Sequence, residues 1–158
     1  MKRICSLIAL SLAFISGAAA QNVPVTSLGP SDYIIVLHRG GMARPRVNYG
    51  TIFCLTTKGL DCDTMHARTF MPKSIADLTL NVHLSQAAFD KVKDMPSSIP
   101  PGMYDKPEGS FGKQWIDGGT SYVIASINGH KYNWRFTGPP GEFGPEMQKL
   151  VHYVYSCF

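Results

Sequence analysis

The feature that most constrains the fold is the segment 121–136, SYVIASINGHKYNWRF. Asn128-Gly129 separates two runs in which apolar and polar residues alternate, and this dipeptide is the preferred two-residue turn between antiparallel strands. Counting outward from the turn pairs Ile127 with His130, Ala125 with Tyr132, Val123 with Trp134 and Ser121 with Phe136. Because cross-strand partners share a face, we expect these residues to face the core and the alternate residues to be half exposed.

Three further segments have the patterns of strands. Residues 33–37, YIIVL, form a continuous apolar run that is typical of a strand buried on both faces. Residues 47–56 predict a second strand, and the loop Thr57-Lys58-Gly59 after it predicts a hairpin with glycine at a positive φ. In residues 78–84, LTLNVHL, every second residue is apolar, which predicts a half-buried strand.

Two segments have the start signal and the apolar stripe of amphipathic helices. Ser85 is a good N-cap for the first helix, which Pro96 ends, and Pro145 occupies the favoured first position of the second. The apolar stripes contain Ala88, Phe89, Val92 and Met95 in the first helix and Met147, Leu150, Val151, Val154 and Phe158 in the second. The chain therefore predicts an α+β fold, in which an antiparallel sheet of about five strands packs on two amphipathic helices as a two-layer sandwich.

Residues 1–20 have the three parts of a secretory signal peptide, namely a basic start, an apolar stretch from Ile4 to Ile15, and alanines that end at Ala20. The apolar stretch is too short to cross a bilayer comfortably, which takes about 20 residues. We expect cleavage near Ala20 and a periplasmic or secreted mature protein. Residues 21–32 then predict an extended lead-in, and residues 33–158 predict a single α+β domain.

The net charge of the chain is modest. It is +4 for the full sequence, and two of the positive charges, Lys2 and Arg3, belong to the signal peptide. So small a charge gives no support for nucleic acid binding or for a polybasic membrane patch. No segment after residue 20 is long and apolar enough to cross a membrane, so we expect no membrane span after cleavage.

Three cysteines follow the signal peptide, at positions 54, 62 and 157. Exported proteins meet an oxidising compartment, so we expect one disulfide and one remaining thiol. A hairpin centred on Lys58 places Cys54 opposite Cys62 on neighbouring strands, which favours a Cys54–Cys62 disulfide. The alternative is a bridge from Cys157 to either of them.

The first candidate site is the segment 36–46, VLHRGGMARPR. Arginine binds carboxylate, phosphate or sulfate through paired hydrogen bonds, and glycines let backbone N–H groups approach an anion. The predicted ligand-binding residues are Arg39, Gly40, Gly41, Arg44 and Arg46. The alternative is an ordinary turn with solvated arginines. A lipase-like oxyanion loop would also need a G-x-S-x-G serine, which the sequence lacks.

The second candidate site is a proline- and glycine-rich segment, residues 96–119, which predicts a long loop. Long loops in compact domains usually serve a function or are disordered. The aromatic residues within it indicate that it lies against the body of the protein and offers a contact surface. The predicted partner-binding residues are Tyr104, Phe111 and Trp115.

The sequence contains no complete catalytic or metal-binding motif. Cys62 and His66 supply only half of a zinc-ligand pattern, and no H-E-x-x-H occurs. Cys157 is next to the last residue, a poor position for a nucleophile that needs a base and an orienting group. Asp90 and Asp94 are interleaved with lysines, as on a solvated helix face. We therefore predict no catalytic residue, no metal and no cofactor, and the sequence favours a non-enzymatic protein.

The leading functional hypothesis is an exported, non-enzymatic protein that binds an envelope protein or a cell-wall component. An inhibitor or immunity-type role fits the size and the expected compartment, although no motif selects it. The second hypothesis is a small-anion binder that uses the arginine-rich segment. The third is a hydrolase with a site that sequence motifs do not reveal.

Overall fold

The computed structural model describes residues 25–39, 51–66, 70–113 and 119–158. The strands are β1 (Tyr33–Arg39), β2 (Ile52–Thr56), β3 (Gly59–Asp63), β4 (Val82–His83), β5 (Glu108–Gly112), β6 (Thr120–Ile127) and β7 (His130–Thr137). The helices are α1 (Gln86–Val92) and α2 (Pro145–Ser156), and short 3-10 turns lie at Ile75–Asp77, Pro96–Ser98, Pro101–Met103 and Pro140–Glu142. Within these ranges neither helix has the length and hydropathy that a bilayer span requires. The predicted signal peptide, residues 1–20, lies outside them.

The seven strands of the described ranges belong to one sheet, in the order β4-β3-β2-β1-β6-β7-β5. Neighbouring strands are antiparallel except β5 and β7, which run parallel. The central strand β1 is buried from Tyr33 to Leu37, which confirms the prediction of a strand covered on both faces. The α+β class is therefore confirmed, while the sheet is larger than the predicted five or so strands.

The hairpin of β6 and β7 has the predicted register, since every predicted cross-strand pair forms. Asn128 and Gly129 both have positive φ, at 52° and 78°, as a two-residue hairpin turn of this kind requires. Trp134 and Phe136, the largest side chains of the predicted core face, are completely buried. The short turn thus determines both the register and the buried face of the hairpin.

Both helices pack on one face of the sheet, which we call the helix face. α1 follows Ser85, whose hydroxyl accepts a hydrogen bond from the backbone N–H of Ala88 at 3.3 Å, so the predicted N-cap is confirmed. α2 begins at Pro145 as predicted, and its apolar stripe is fully buried at Leu150 and Val151. These side chains join those of the central strands in the main core cluster.

The opposite face of the sheet is partly covered by an irregular segment, residues 70–78, which we call the strap. Three strap residues pack on a second core cluster over β1 and β2, namely Phe70, Ile75 and Leu78. The strap is anchored by Asp63, the last residue of β3, whose carboxylate accepts a hydrogen bond from Thr79 N–H at 2.7 Å. On this strap face, residues of β6 and β7 such as Tyr122 and Arg135 remain half exposed.

The hairpin of β2 and β3 differs from the prediction by one residue. Thr56 pairs with Gly59, so the turn contains two residues instead of three. Neighbouring positions on a strand point to opposite faces, so this shift places Cys54 in the strap-side cluster and Cys62 in the main cluster. The register excludes the predicted Cys54–Cys62 disulfide, and both residues, like Cys157, are free thiols.

The strand predicted at residues 78–84 is much shorter than expected. Only Val82 and His83 form a ladder with β3, and the apolar Leu80 and Val82 are 37% and 39% exposed. The first part of the segment is held by the Asp63 carboxylate, which binds Thr79 N–H in place of a ladder hydrogen bond. Alternation of apolar and polar residues indicates an extended chain. Whether that chain pairs as a strand also depends on which backbone groups of the fold lie beside it.

The segment 96–119, predicted as a long loop, contains two 3-10 turns and the edge strand β5. β5 has the sequence EGSFG, and nothing in its local pattern indicates a strand. It pairs in parallel with β7 and ends at Gly112, whose φ is +86°. A Cβ atom at Gly112 would lie 2.0 Å from the carbonyl oxygen of Thr137, so only glycine fits at this close approach.

Candidate functional site

One residue of the predicted anion-binding segment, Arg39, lies in the described part of the chain, and four lie outside it: Gly40, Gly41, Arg44 and Arg46. Arg39 is the last residue of β1 and pairs with Thr120 of β6. Ile35 and Leu37, which share its face of the strand, belong to the strap-side cluster. The half-buried Arg39 side chain therefore lies on the strap face.

A second arginine lies on the same face, two strands away from Arg39. Arg135 of β7 pairs with Tyr122 of β6, and Tyr122 pairs with Leu37 of β1. Arg39 is two residues beyond Leu37, so it is the diagonal neighbour of Tyr122, at about 7–8 Å between Cα atoms. Arg39, Tyr122 and Arg135 form one half-buried surface, which we call the arginine face.

The charges of the two arginines are not paired within the described ranges. Among the described residues neither guanidinium takes part in an ion pair, and the Nε atom of each is buried without a hydrogen-bond partner. Burial lowers the pKa of Arg39 because desolvation disfavours the charged form, and Tyr122 acts in the opposite direction. Charges withdrawn from water are normally paired, so an anion bound at the exposed ends of the two guanidinium groups would lower the cost of their burial.

A cavity of about 450 Å³ opens farther along the strap face, toward the hairpin turn. Residues of the strap, β5 and β7 line it, among them Pro72, Lys73, Pro107, Glu108, Lys131 and Asn133. Two of these side chains are basic and one is acidic, so the walls carry a net positive charge. The volume lies within the range of ordinary small-ligand sites, about 300–1,000 Å³.

The aromatic residues predicted to contact a partner serve in packing where the structure describes them. Tyr104 meets the ring of Tyr132 edge-on, with centroids 5.5 Å apart, and burial raises the pKa of Tyr104 to about 12. Phe111 of β5 stacks on Phe136 at 5.5 Å. Trp115 lies outside the described residues. Tyr104 and Phe111 thus pack at the edge of the core, and their contact with a partner stays a prediction.

Two aspartates of β3 each hold a histidine ring. The fully buried Asp63 contacts His66 Nδ1 at 2.5 Å, and the His66 ring stacks on Phe70 with centroids 4.0 Å apart. Asp61 contacts His83 Nδ1 at 2.6 Å across β3 and β4. No third metal-ligating side chain joins either pair within the described ranges. The pairs tie the strap and β4 to the end of the sheet.

A serine and a histidine also meet on the helix face. His38 Nδ1 lies 2.9 Å from the hydroxyl oxygen of Ser121, and the His38 ring packs against the rings of Tyr155 and Phe158. The spacing is that of a nucleophile and its base. Ser121 is completely buried, however, so a substrate has no access to its hydroxyl. This contact joins β1 and β6 to the end of α2.

Sequence patterns alone did not identify Tyr122, Arg135 and Lys131 as site residues. The only local sign of such a role was that these residues lie on the half-exposed face of the predicted hairpin. The placement of Arg39, Tyr122 and Arg135 on one surface follows from the sheet order, which places β1 directly beside β6, whereas Lys131 lies opposite Ser126, four residues along β7 from Arg135. Comparisons with protein-family models, with curated proteins and with solved structures give no match for this chain.

Proposed function

We propose that this is an exported, non-enzymatic binding protein that recognises an anionic group through Arg39 and Arg135. The observation that carries the proposal is the pair of half-buried guanidinium groups without an ionic partner among the described residues. Arginine forms paired hydrogen bonds with carboxylate, sulfate and phosphate, and partial desolvation strengthens each charge–charge contact. Tyr122 between the two arginines adds a hydroxyl that donates or accepts a hydrogen bond.

Binding is favoured over catalysis by the surroundings of the reactive side chains. The serine nearest to a histidine, Ser121, is completely buried, and the two Asp–His pairs hold loops in place. A nucleophile or general base must reach the substrate. Ser121 is too buried to do so, and His83, which is exposed and hydrogen-bonded to Asp61, has no serine or cysteine hydrogen-bonded to it among the described residues. The arginine face combines charge with access and needs no further chemistry to act as a binding site.

Thermal unfolding in the presence of anions tests the proposal. Phosphate and sulfate, compared with chloride at equal ionic strength, should raise the melting temperature of the wild type by about 3 °C at tenfold saturation. The double variant Arg39→Gln, Arg135→Gln should lose this rise. Lys91→Gln, which removes one charge from the exposed surface of α1, is the matched control and should keep it. An equal rise in all three proteins would refute specific binding at the arginine face.

A second candidate is a partner-binding role of the inhibitor or immunity type, favoured by exposed apolar side chains near β4. Met65 is 71% exposed, and it lies close to Leu80 and Val82 because Thr64 N–H donates to the Asn81 side chain. Exposed apolar clusters mark contact surfaces. Crosslinking in the periplasm should recover one stoichiometric partner with the wild type and none with a Leu80→Ser, Val82→Ser variant. Recovery that is unchanged in the variant would contradict this candidate.

A further inference from the structure

The strap face holds a second basic centre in line with the arginine face. Lys131, Asn133 and Arg135 occupy alternate positions of β7, so their side chains all stand on the strap face. The strand rise places successive members about 7 Å apart and places Lys131 about 13 Å from Arg135. Lys131 lines the 450 Å³ cavity, while Arg135 belongs to the arginine face.

Two features make Lys131 the charge that a ligand in the cavity would meet. Lys73, the other lysine of the wall, lies beside Asp77 of the strap, which offsets part of its charge. Lys131 is exposed and has no ion-pair partner among the described residues. Asn133 between the two basic centres is exposed and neutral, and its amide both donates and accepts hydrogen bonds.

We infer that the ligand of this site is an extended acidic peptide segment that lies along β7, with one carboxylate at Arg39 and Arg135 and a second at Lys131. This inference rests on the proposed function and extends it from an anionic group to a class of ligand. In an extended peptide the side chains of residues i and i+4 share a face and lie about 13 Å apart, which matches the spacing of the two basic centres. The Asn133 amide hydrogen-bonds to the peptide backbone between the two carboxylates. A small anion spans only one of the centres.

Two blocked peptides of identical composition test the inference. One is Glu-Thr-Gly-Thr-Glu, with its carboxylates at i and i+4, and the other is Thr-Gly-Glu-Glu-Thr, with adjacent carboxylates. The spaced peptide should bind the full chain about fivefold more tightly by isothermal titration calorimetry, since the second contact is an exposed ion pair. Lys131→Gln should abolish this difference. Lys91→Gln should leave it unchanged.

The outcomes test the proposed function and the acidic-peptide inference separately. Phosphate that binds and depends on Arg135, together with equal affinities for the two peptides, overturns the acidic-peptide inference and leaves the proposed function intact. Failure of phosphate and both peptides to bind overturns both. An acidic glycan fragment that binds more tightly than the spaced peptide also overturns the peptide assignment. Arg135→Lys, which keeps the charge and is milder for folding than Arg135→Gln, should weaken binding of phosphate and of both peptides severalfold.

Discussion

Replacement of Asp63 by alanine should be among the most destabilising single changes in the protein. Its carboxylate accepts hydrogen bonds from the backbone N–H groups of Met65 at 2.9 Å, His66 at 3.2 Å and Thr79 at 2.7 Å, and from the His66 ring at 2.5 Å. Hydrogen bonds to a charged group contribute about 1.5–3 kcal/mol each, and alanine leaves these three backbone N–H groups and the His66 ring, all partly buried, without this acceptor. Water reaches some of them, so we expect a loss of about 4 kcal/mol in the free energy of unfolding.

Urea denaturation at pH 7, followed by tryptophan fluorescence, measures this loss. The matched control is Asp90→Ala, which removes an exposed carboxylate and its ion pair with Lys93, whose side chain is 47% exposed. That change should cost less than about 0.5 kcal/mol, because exposed ion pairs contribute little. Asp63→Asn keeps one acceptor oxygen and should lie between the two. A loss below about 1 kcal/mol for Asp63→Ala would refute the view that this carboxylate anchors the strap.

The Asp63 carboxyl also makes the stability of the protein depend on pH. Burial by itself would raise the pKa of Asp63, but hydrogen bonds from Thr79, Met65 and His66 outweigh it and lower the pKa below its ordinary value of 3.8. A carboxyl whose pKa is lower in the folded state adds stability above its unfolded pKa, and this stability is lost as the pH falls through the folded pKa. The stability difference between wild type and Asp63→Asn should therefore shrink below about pH 4. A difference that is constant down to pH 2 would contradict this linkage.

Three further predictions concern the core, the hairpin turn and the thiols. Trp134→Ala should cost about 4 kcal/mol in urea denaturation, because the ring is completely buried and its Nε1 donates to the Lys106 carbonyl at 2.8 Å; a cost below 1 kcal/mol would contradict the core assignment. Gly129→Ala should cost about 1 kcal/mol by the same measurement, because φ at this position is 78°, and an unchanged midpoint would count against the turn. Burial raises the pKa of Cys54 to about 12, so native protein at pH 8 should resist iodoacetamide at this residue. Unfolding without reductant should expose Cys54 and Cys62 as alkylatable thiols in peptide mapping, and a Cys54–Cys62 bridge found there would refute the β2–β3 register.

Whether a feature was predicted correctly depended mainly on how far apart in the chain its interacting residues lie. The register of β6 and β7 and the N-cap at Ser85 were predictable because each depends on residues a few positions apart. The Cys54–Cys62 pairing failed on a local detail, since a turn one residue shorter moves every side chain of β3 to the other face. β5 was not predictable from its own sequence because its parallel ladder and the stacking of Phe111 on Phe136 both involve a strand later in the chain.

Turns, caps and periodicity are local, so the α+β class, the hairpin with its buried aromatic face and both helix starts could be predicted from residues close together in the chain. The properties of the strap face depend on contacts between distant segments. Insertion of β1 beside β6 places Arg39 diagonal to Tyr122 and on the same face as Arg135, although they are far apart in the chain. The physical reason is that a charge needs a partner only once the fold withdraws it from water, and this burial is a property of the assembled sheet.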